Sequence, residues 1–182
     1  TGAWFVIHIP PERYRIEGTA DDAPNLPLPS VPARYIIRHS TGVTVKELTS
    51  SEFPVADALW VNYHRTTGDP RTDRIFAAFL DRQAVSVARC RLHSDGHEVD
   101  GVFTPVTHRG HGYADAAVWG LVEACGSDTL FMHSVRNLEK FYGRYGFVPI
   151  NEKELPESIQ ERFAWAQGQM EGANVLPMKR VP

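Results

Sequence analysis

The segment from Val102 to Ala114 restricts the fold of this chain more than any other stretch. It begins with strand-forming residues, passes through a turn that contains Gly110 and Gly112, and continues into an apolar pattern of 3.6-residue period. A helix that starts after a glycine turn offers unpaired N–H groups and the positive end of its dipole. Glycines also let an anion approach the backbone closely. The segment therefore predicts a strand, turn and helix that hold a pyrophosphate, with Arg109 as an added cation.

The spacing inside this turn separates it from other phosphate-binding motifs. No Gly-Lys-Ser/Thr follows, as a P-loop requires, and the third glycine of a dinucleotide fingerprint is missing. The run Arg-x-x-Gly-x-Ala from Arg109 to Ala114 resembles the CoA-binding signature of the GNAT superfamily of N-acetyltransferases. The resemblance implies that acetyl-CoA binds at this turn as a cosubstrate.

A second stretch, residues 136–147, resembles another segment of the same superfamily. It reads Arg-Asn-Leu-Glu-Lys-Phe-Tyr-Gly-Arg-Tyr-Gly-Phe, similar to the family pattern Asn-Ala-x-x-Phe-Tyr-x-x-x-Gly-Phe. The resemblance implies that Tyr142 protonates the departing CoA thiolate and that Asn137 binds the pantetheine arm. A phenol with a pKa near ~10 can supply a proton to a thiolate whose conjugate acid has a pKa near ~8.5 if the geometry is suitable. From the residues alone, the preferred interpretation of Tyr142 is that it is one more member of the buried apolar stripe of its helix.

The two motifs together define a predicted cosubstrate site. Its predicted contacts are Phe103, Thr104, Pro105, Arg109, Gly110, His111, Gly112, Tyr113, Ala114 and Asn137.

Acyl transfer to an amine also needs a base, because most amines are protonated at pH 7. The resemblance implies that a Glu on the strand before the turn serves, directly or through water, and Glu98 is therefore the second predicted catalytic residue. Asp100 is an alternative on the same strand face, since it lies two residues further on. No compact set of histidines, cysteines and carboxylates predicts a metal site. Histidine candidates for the base are His97, His108, His111 and His133.

The resemblance implies an activity: transfer of an acetyl group from acetyl-CoA to a primary amine by direct attack in a ternary complex. Backbone N–H groups of the strand end at 103–105 are expected to polarise the thioester carbonyl. Two alternatives stay open: a non-catalytic CoA-binding regulatory module, and transfer of a different acyl group. The acceptor is also open between small amines, antibiotics, amino acids and proteins.

Composition narrows the partners and the compartment. The net charge of −3 over 182 residues predicts neither a nucleic-acid surface nor a polybasic membrane surface. No apolar run is long enough to span a bilayer, and the first residues do not resemble a signal peptide. Cys90 and Cys125 are too few for a disulfide framework and predict reduced core thiols. We expect a cytoplasmic protein that is a monomer or a homodimer.

Periodicity along the chain predicts an α+β fold. From residue 43 to residue 181 the order is β-α-β-β-β-α-β-α-β-α-β. That order resembles the GNAT arrangement, a mixed and mostly antiparallel central sheet flanked by helices. The first forty residues predict a strand at 3–9, a proline-rich loop at 18–33 and a short strand at 34–38. We therefore expect an N-terminal β extension over residues 1–40 and an N-acetyltransferase domain over residues 41–182.

Three local features make more specific predictions. Thr49 and Glu52 have the spacing of a capping box before a helix whose apolar stripe runs from Phe53 to Tyr63. Residues 156–167 are expected to form the last helix. Pro177 inside the last strand predicts a sheet edge or a bulge.

Overall fold

The computed structural model describes the backbone of residues 14–16 and 36–39, together with residues 42–61, 63, 66–162 and 175–182. The predicted strand at 3–9 and the predicted loop at 18–33 lie outside the described residues. The predicted helix at 156–167 is described only as far as residue 162, and residues 157–162 are helical.

Strands and helices follow the predicted order through the described part of the chain. The strands are β1 (Tyr14–Ile16), β2 (Ile36–His39), β3 (Val43–Glu47), β4 (Asp73–Leu80), β5 (Gln83–Leu92), β6 (His97–Phe103), β7 (Leu130–Val135), β8 (Val148–Pro149) and β9 (Val175–Arg180). Three helices are labelled α1 (Phe53–Trp60), α2 (Tyr113–Cys125) and α3 (Glu139–Gly143), and residues 157–162 are the described part of the last helix.

The described strands form one sheet in the order β1-β2-β3-β4-β5-β6-β7-β9-β8. Neighbouring strands run antiparallel except for β6 and β7, which are parallel. Helices cover the sheet, so the predicted α+β fold with a mixed, mostly antiparallel sheet is confirmed. The predicted strand at 34–38 corresponds to β2, which pairs with β3 and continues the sheet towards the N-terminal residues.

Strand β4 shows how the sheet is buried on both faces. Ile75 and Ala77 pack in a cluster with apolar residues of α1, while Phe76 and Ala78 pack in the main core with apolar residues of α2. Because side chains alternate across a strand, a continuous apolar run fits a strand covered on both sides. The helices α1 and α2 therefore lie on opposite faces of the sheet.

A hairpin joins β4 and β5 through a two-residue turn at Asp81 and Arg82. Both residues have positive φ, 47° and 75°. Positive φ at both central positions is typical of the hairpin turn whose twist matches that of the flanking strands.

The capping box is confirmed at the 3-10 turn Ser50–Glu52 that leads into α1, and the end of α1 corrects the predicted stripe. The carboxylate of Glu52 accepts hydrogen bonds from the backbone N–H and the hydroxyl of Thr49, at 2.9 and 2.7 Å. However, α1 ends at Trp60, so Tyr63 lies beyond the helix rather than on its apolar stripe.

Pro177 does not lie on an edge strand, because β9 runs between β7 and β8. The short strand β8 pairs with residues 178 and 179 only. The carbonyl of Pro177 accepts a hydrogen bond from the Ile150 N–H at 3.0 Å, just past the end of β8. In an antiparallel strand, the N–H and the C=O of one residue face the same neighbouring strand. At position 177 that neighbour is β8, whose pairing ends at residue 178. A proline fits here because no carbonyl of β8 needs the N–H that proline lacks.

Candidate active site

The parallel strands β6 and β7 form the two walls of a cavity of about 630 Å³, called here the strand cavity. The register pairs His97 with Leu130 and Glu98 with Phe131, near the amino ends of both strands. Further along, residues 99–102 of β6 and residues 132–135 of β7 line the cavity instead of pairing. The cavity therefore results from the separation of two strands that start as neighbours.

A bulge in β6 lies beside this cavity. Gly101 has φ +58°, and the register between β5 and β6 shifts between Val87 and Arg89. A Cβ at position 101 would lie 2.9 Å from Cζ2 of Trp60. Glycine is required here both for the backbone conformation and for the close approach of the Trp60 ring.

A second cavity of about 750 Å³, called here the turn cavity, lies over the glycine turn at the start of α2. Gly110 and Gly112 have φ of +82° and +79°, and a Cβ on either would point into open space. Arg109 and Arg144 also line this cavity, and each brings a guanidinium. Positive φ, open space above the backbone and two cations together suit an anionic group.

Most of the predicted cosubstrate residues line the turn cavity. They are Phe103, Thr104, Arg109, Gly110, Gly112, Tyr113 and Ala114. The other three, Pro105, His111 and Asn137, lie outside its lining. His111 stacks on Tyr113 with ring centroids 5.6 Å apart, and its Nδ1 lies 2.9 Å from the Arg109 carbonyl oxygen. Asn137 is exposed at the turn before α3, and any contact with the cosubstrate stays a prediction for these three.

Tyr142 lies where the two cavities meet, because it lines both of them. Tyr63, Val102 and Leu138 also line both. The Tyr142 side chain is buried in α3, and burial raises the pKa of its phenol well above the usual value, with the nearby Tyr63 adding to the shift. The phenol is therefore protonated at neutral pH and can act as a hydrogen-bond donor or an acid at the junction.

A network of arginines and carboxylates forms one side of the strand cavity. The guanidinium of Arg89 holds Asp100 through two hydrogen bonds of 2.6 Å and reaches Asp73 at 3.3 Å. Arg91 binds the same Asp73 at 2.9 and 3.1 Å. Buried carboxylates with bidentate arginine partners keep their charge at modest cost. This side of the cavity is thus polar, with each carboxylate paired to an arginine.

Glu98 lies in the same network, fully buried behind the strand cavity. Its Oε2 accepts a hydrogen bond from Arg162 Nε at 2.6 Å and lies 2.8 Å from His93 Nε2. Burial opposes the charge of Glu98, but the hydrogen bond with His93 and the charges of Arg162 and His133 outweigh it and hold its pKa below the usual value. Arg162 also binds Asp100 at 2.8 Å, which places both carboxylates on one strand face as predicted.

Three residues join this site without having been predicted from the sequence. The apolar period places Tyr63 on the α1 stripe, yet it lines both cavities, and burial raises the pKa of its phenol. In the sequence, Arg162 resembles an ordinary polar residue of the last helix. Its partners lie more than sixty positions away, so no local pattern connects them with it. Arg144 does carry a signal, since it belongs to the second motif and stands two residues after Tyr142.

Metal-binding groups and membrane-spanning helices are both missing from the described ranges. Across residues 42–162 and 175–182, apart from the gaps at 62 and 64–65, no group of three or more His, Cys, Asp or Glu could hold a metal ion. No helix in the described part of the chain is long and apolar enough to cross a membrane. Cys90 and Cys125 are buried free thiols, as predicted.

Three solved structures illustrate what this fold is similar to. N-acetylglutamate synthase from Neisseria gonorrhoeae, complexed with coenzyme A and L-arginine, superposes with a TM-score of 0.58 at 16% identity, over 76% of this chain and 33% of that one. An acetyltransferase of the GNAT family from Staphylococcus aureus gives 0.54 at 13% identity, over 76% and 98%. Arabidopsis thaliana Naa50 with the bisubstrate analogue CoA-Ac-MVNAL gives 0.53 at 12% identity, over 78% and 99%.

Sequence comparison gives no such relatives. No family model matches the chain, and no curated protein matches it. The similarity is therefore carried by the structure. The chain has the fold of the GNAT acetyltransferases.

Proposed function

We propose that this protein is an acetyl-CoA-dependent N-acetyltransferase that acts by direct attack of an amine in a ternary complex. The observation that carries the proposal is the position of Tyr142 at the junction of two cavities. One cavity lies over a glycine turn suited to a pyrophosphate, and the other lies between separated strands. Two ligands that fill these cavities would meet beside a protonated phenol.

The turn cavity is assigned to acetyl-CoA. Gly110 and Gly112 leave the backbone open, and the first turn of α2 offers N–H groups to an anion. Arg109 and Arg144 supply charge at the same rim. Asp115 would repel a phosphate, but Arg144 binds its carboxylate at 2.7 Å and Tyr145 donates a hydrogen bond to it. The residues present therefore fit the pyrophosphate of CoA.

The strand cavity is assigned to the acceptor amine. In the reaction, the amine nitrogen forms a bond with the acetyl carbon and the carbon–sulfur bond breaks. The backbone N–H groups of Phe103 and Thr104 at the strand end polarise the carbonyl, since Pro105 has no N–H, and Tyr142 gives its proton to the leaving sulfur. The amine must lose a proton in the same sequence, a role that the resemblance assigns to Glu98.

The structural neighbours support the proposal through what is bound to them. One is complexed with coenzyme A and L-arginine, and another with an analogue in which CoA is joined to a peptide. Each belongs to a protein that shares the fold of this chain. Two buried free thiols also support a reducing, cytoplasmic compartment.

The test has two steps. A thermal shift with acetyl-CoA measures binding, and release of free CoA thiol measures turnover with spermidine, L-lysine, L-glutamine and a peptide that begins Met-Val. We expect stabilisation by acetyl-CoA and thiol release with at least one amine. Stabilisation without thiol release across the panel would identify a non-catalytic CoA-binding module. Faster thiol release from a longer acyl-CoA would show that the transferred acyl group is not acetyl. No shift with any acyl-CoA would contradict the assignment of the turn cavity.

A further inference from the structure

We propose that His133, held by the carboxylate of Glu98, removes the proton from the acceptor amine in the strand cavity. The inference rests on the proposed function and deepens it. It makes His133 the catalytic base and changes Glu98 from a base that meets the amine to a positioning residue behind it.

His133 stands between a buried carboxylate and the strand cavity. It lies on β7 and lines the strand cavity, as Tyr142 does. Its Nδ1 lies 3.4 Å from Oε1 of Glu98. The register explains the approach: Glu98 pairs with Phe131, and His133 follows two residues later on the same strand face. The imidazole can therefore contact both Glu98 and a ligand in the cavity.

The Glu98 carboxylate is oriented by its own partners. Its Oε2 is fixed by Arg162 at 2.6 Å and lies 2.8 Å from His93 Nε2. Within the described residues, Oε1 accepts no hydrogen bond of normal geometry. The remaining acceptor of Glu98 thus points to Nδ1 of His133. At 3.4 Å the contact is longer than a normal hydrogen bond, and catalytic hydrogen bonds often shorten to about 3 Å when substrate binds.

The tautomer follows from this contact. A proton on Nδ1 faces the carboxylate, which leaves the lone pair of His133 on Nε2. A carboxylate behind an imidazole holds one tautomer and stabilises the imidazolium that forms when the ring accepts a proton. Glu98 itself is a poor base, because it is fully buried and its pKa lies below the usual value.

Ionisation of the ring agrees with this role. Burial lowers the pKa of His133; the charges of Glu98 and Asp100 on β6 oppose the shift, and Arg162 on the last helix adds to it. His133 is therefore neutral at pH 7 and can accept a proton, whereas the phenol of Tyr142 remains protonated and can donate one. Acid and base face the same cavity with opposite protonation states.

The proton balance is complete. The ammonium form of the acceptor gives one proton to solvent before it attacks, and the neutral amine loses a second proton to Nε2 of His133 as the carbon–nitrogen bond forms. Tyr142 loses one proton to the thiolate as the carbon–sulfur bond breaks. The imidazolium then returns its proton to solvent, and the phenolate takes one from solvent, so that both residues recover their starting states without an oxidant or reductant.

The experiment compares His133→Ala and Glu98→Gln with the control His97→Ala. His97 is a half-buried histidine on β6; the sequence also offers it as a base, but it lines neither the strand cavity nor the turn cavity. Thiol release is measured from pH 5 to 9 with the most active amine of the panel, and acetyl-CoA affinity is measured by isothermal titration. We expect His133→Ala to lower kcat by about 10²–10⁴-fold, with acetyl-CoA affinity unchanged. His97→Ala should keep wild-type kcat.

Two readouts separate catalysis from a structural role. Added imidazole should restore part of the activity of His133→Ala, because a small base can enter the space left by the ring. In wild type, kcat/KM should fall as pH drops through the pKa of His133. In Glu98→Gln that fall should move to lower pH, since the carboxylate that raises the pKa of His133 is gone. Titration of the His133 ring by NMR, without any acceptor, should show the same shift of its pKa to lower pH in Glu98→Gln. If His133→Ala does not fold, His133→Gln replaces it.

The outcomes also separate this inference from the proposed function. Thiol release by wild type, with an unchanged kcat in His133→Ala, overturns the inference and leaves the acetyltransferase intact. The inference is also overturned if imidazole does not rescue His133→Ala and the acetyl-CoA affinity of that variant falls, because the His133 ring would then have a structural role. Absence of thiol release by wild type with every amine overturns the proposed function and this inference with it.

Discussion

The indole N–H of Trp60 donates a hydrogen bond of 2.8 Å to the carbonyl oxygen of Gly101, and so joins α1 to the bulge of β6. Trp60 is fully buried, and the guanidinium of Arg89 lies 5.0 Å from its ring centroid. One side chain thus holds the bulge and contacts the arginine that binds Asp100. The shape of the strand cavity depends on this contact between a helix on one face of the sheet and the strand beside the cavity.

Gly101→Ala should therefore destabilise the fold. A positive φ at a non-glycine residue costs about 1–3 kcal/mol, and the new Cβ would overlap Trp60. Trp60→Phe should also destabilise, because the Gly101 carbonyl loses its buried donor at a cost of about 1–3 kcal/mol. Urea denaturation measures both changes. An unchanged midpoint for Gly101→Ala would show that the bulge is not strained.

Acetyl-CoA affinity should fall when the glycine turn is altered. Arg109→Ala removes one charge-assisted phosphate contact, on the order of 1.5–3 kcal/mol. Gly112→Val should weaken binding further, because it fills the open space and opposes a φ of +79°. The matched control is Gly143→Ala, where a Cβ also meets nothing but φ is not positive. Isothermal titration that gives equal affinities for all of these variants would remove acetyl-CoA from the turn cavity.

Tyr142→Phe should lower turnover while fold and acetyl-CoA binding are kept. The ring remains among Phe141 and Phe147, whose centroids lie 4.9 and 6.2 Å away, and only the hydroxyl is lost. A positioned general acid contributes about 10²–10⁴-fold in rate. The control is Tyr145→Phe: the Tyr145 hydroxyl bonds to Asp115 in α2, so this variant should lose stability but keep its kcat at saturating acetyl-CoA. Wild-type turnover of Tyr142→Phe would make Tyr142 a packing residue.

The capping box should make stability depend on pH. The hydrogen bond from Lys46 is the main cause that lowers the pKa of Glu52 from 4.5 to about 2, and the Thr49 backbone N–H adds to the effect although partial burial opposes it. A lowered pKa stabilises the fold at pH above 4.5, and this stabilisation is lost as pH falls towards 2. Because solvent screens this partly exposed pair, Glu52→Gln should cost only about 0.5–1 kcal/mol at pH 7. Its free energy of unfolding should approach that of wild type near pH 2, and a gap that persists there would contradict the assignment.

Removal of residues 1–40 should lower the melting temperature or change the oligomer. We propose that these residues form an extension to the N-acetyltransferase domain at 41–182. The deletion removes β2, which pairs with β3 through Ile37 and Val45, and leaves a strand edge open. Calorimetry measures the stability, and light scattering on a size-exclusion column measures the mass. A truncated protein with the same melting temperature, mass and acetyl-CoA affinity would show that the extension is dispensable.

Local sequence determined the elements and the glycine turn. The φ of +79° at Gly112 and the two-residue hairpin at Asp81 follow from residues close in the chain. Such features depend on turn chemistry and on the period of apolar residues, and both are visible in a short window. The same applies to the capping box at Thr49, whose partner stands three residues away. For this reason, the order of strands and helices from residue 43 onwards could be predicted.

Only the tertiary structure decided how the site is assembled. The separation of β6 and β7 creates the strand cavity, and no local pattern records where two strands part. Arg162 reaches Glu98 across 64 positions and Asp100 across 62. His133 meets Glu98 only because parallel pairing aligns strands that are separated by a helix. The sequence by itself determined which residues bring chemistry, whereas the long-range packing of strands decided which of them face the same cavity.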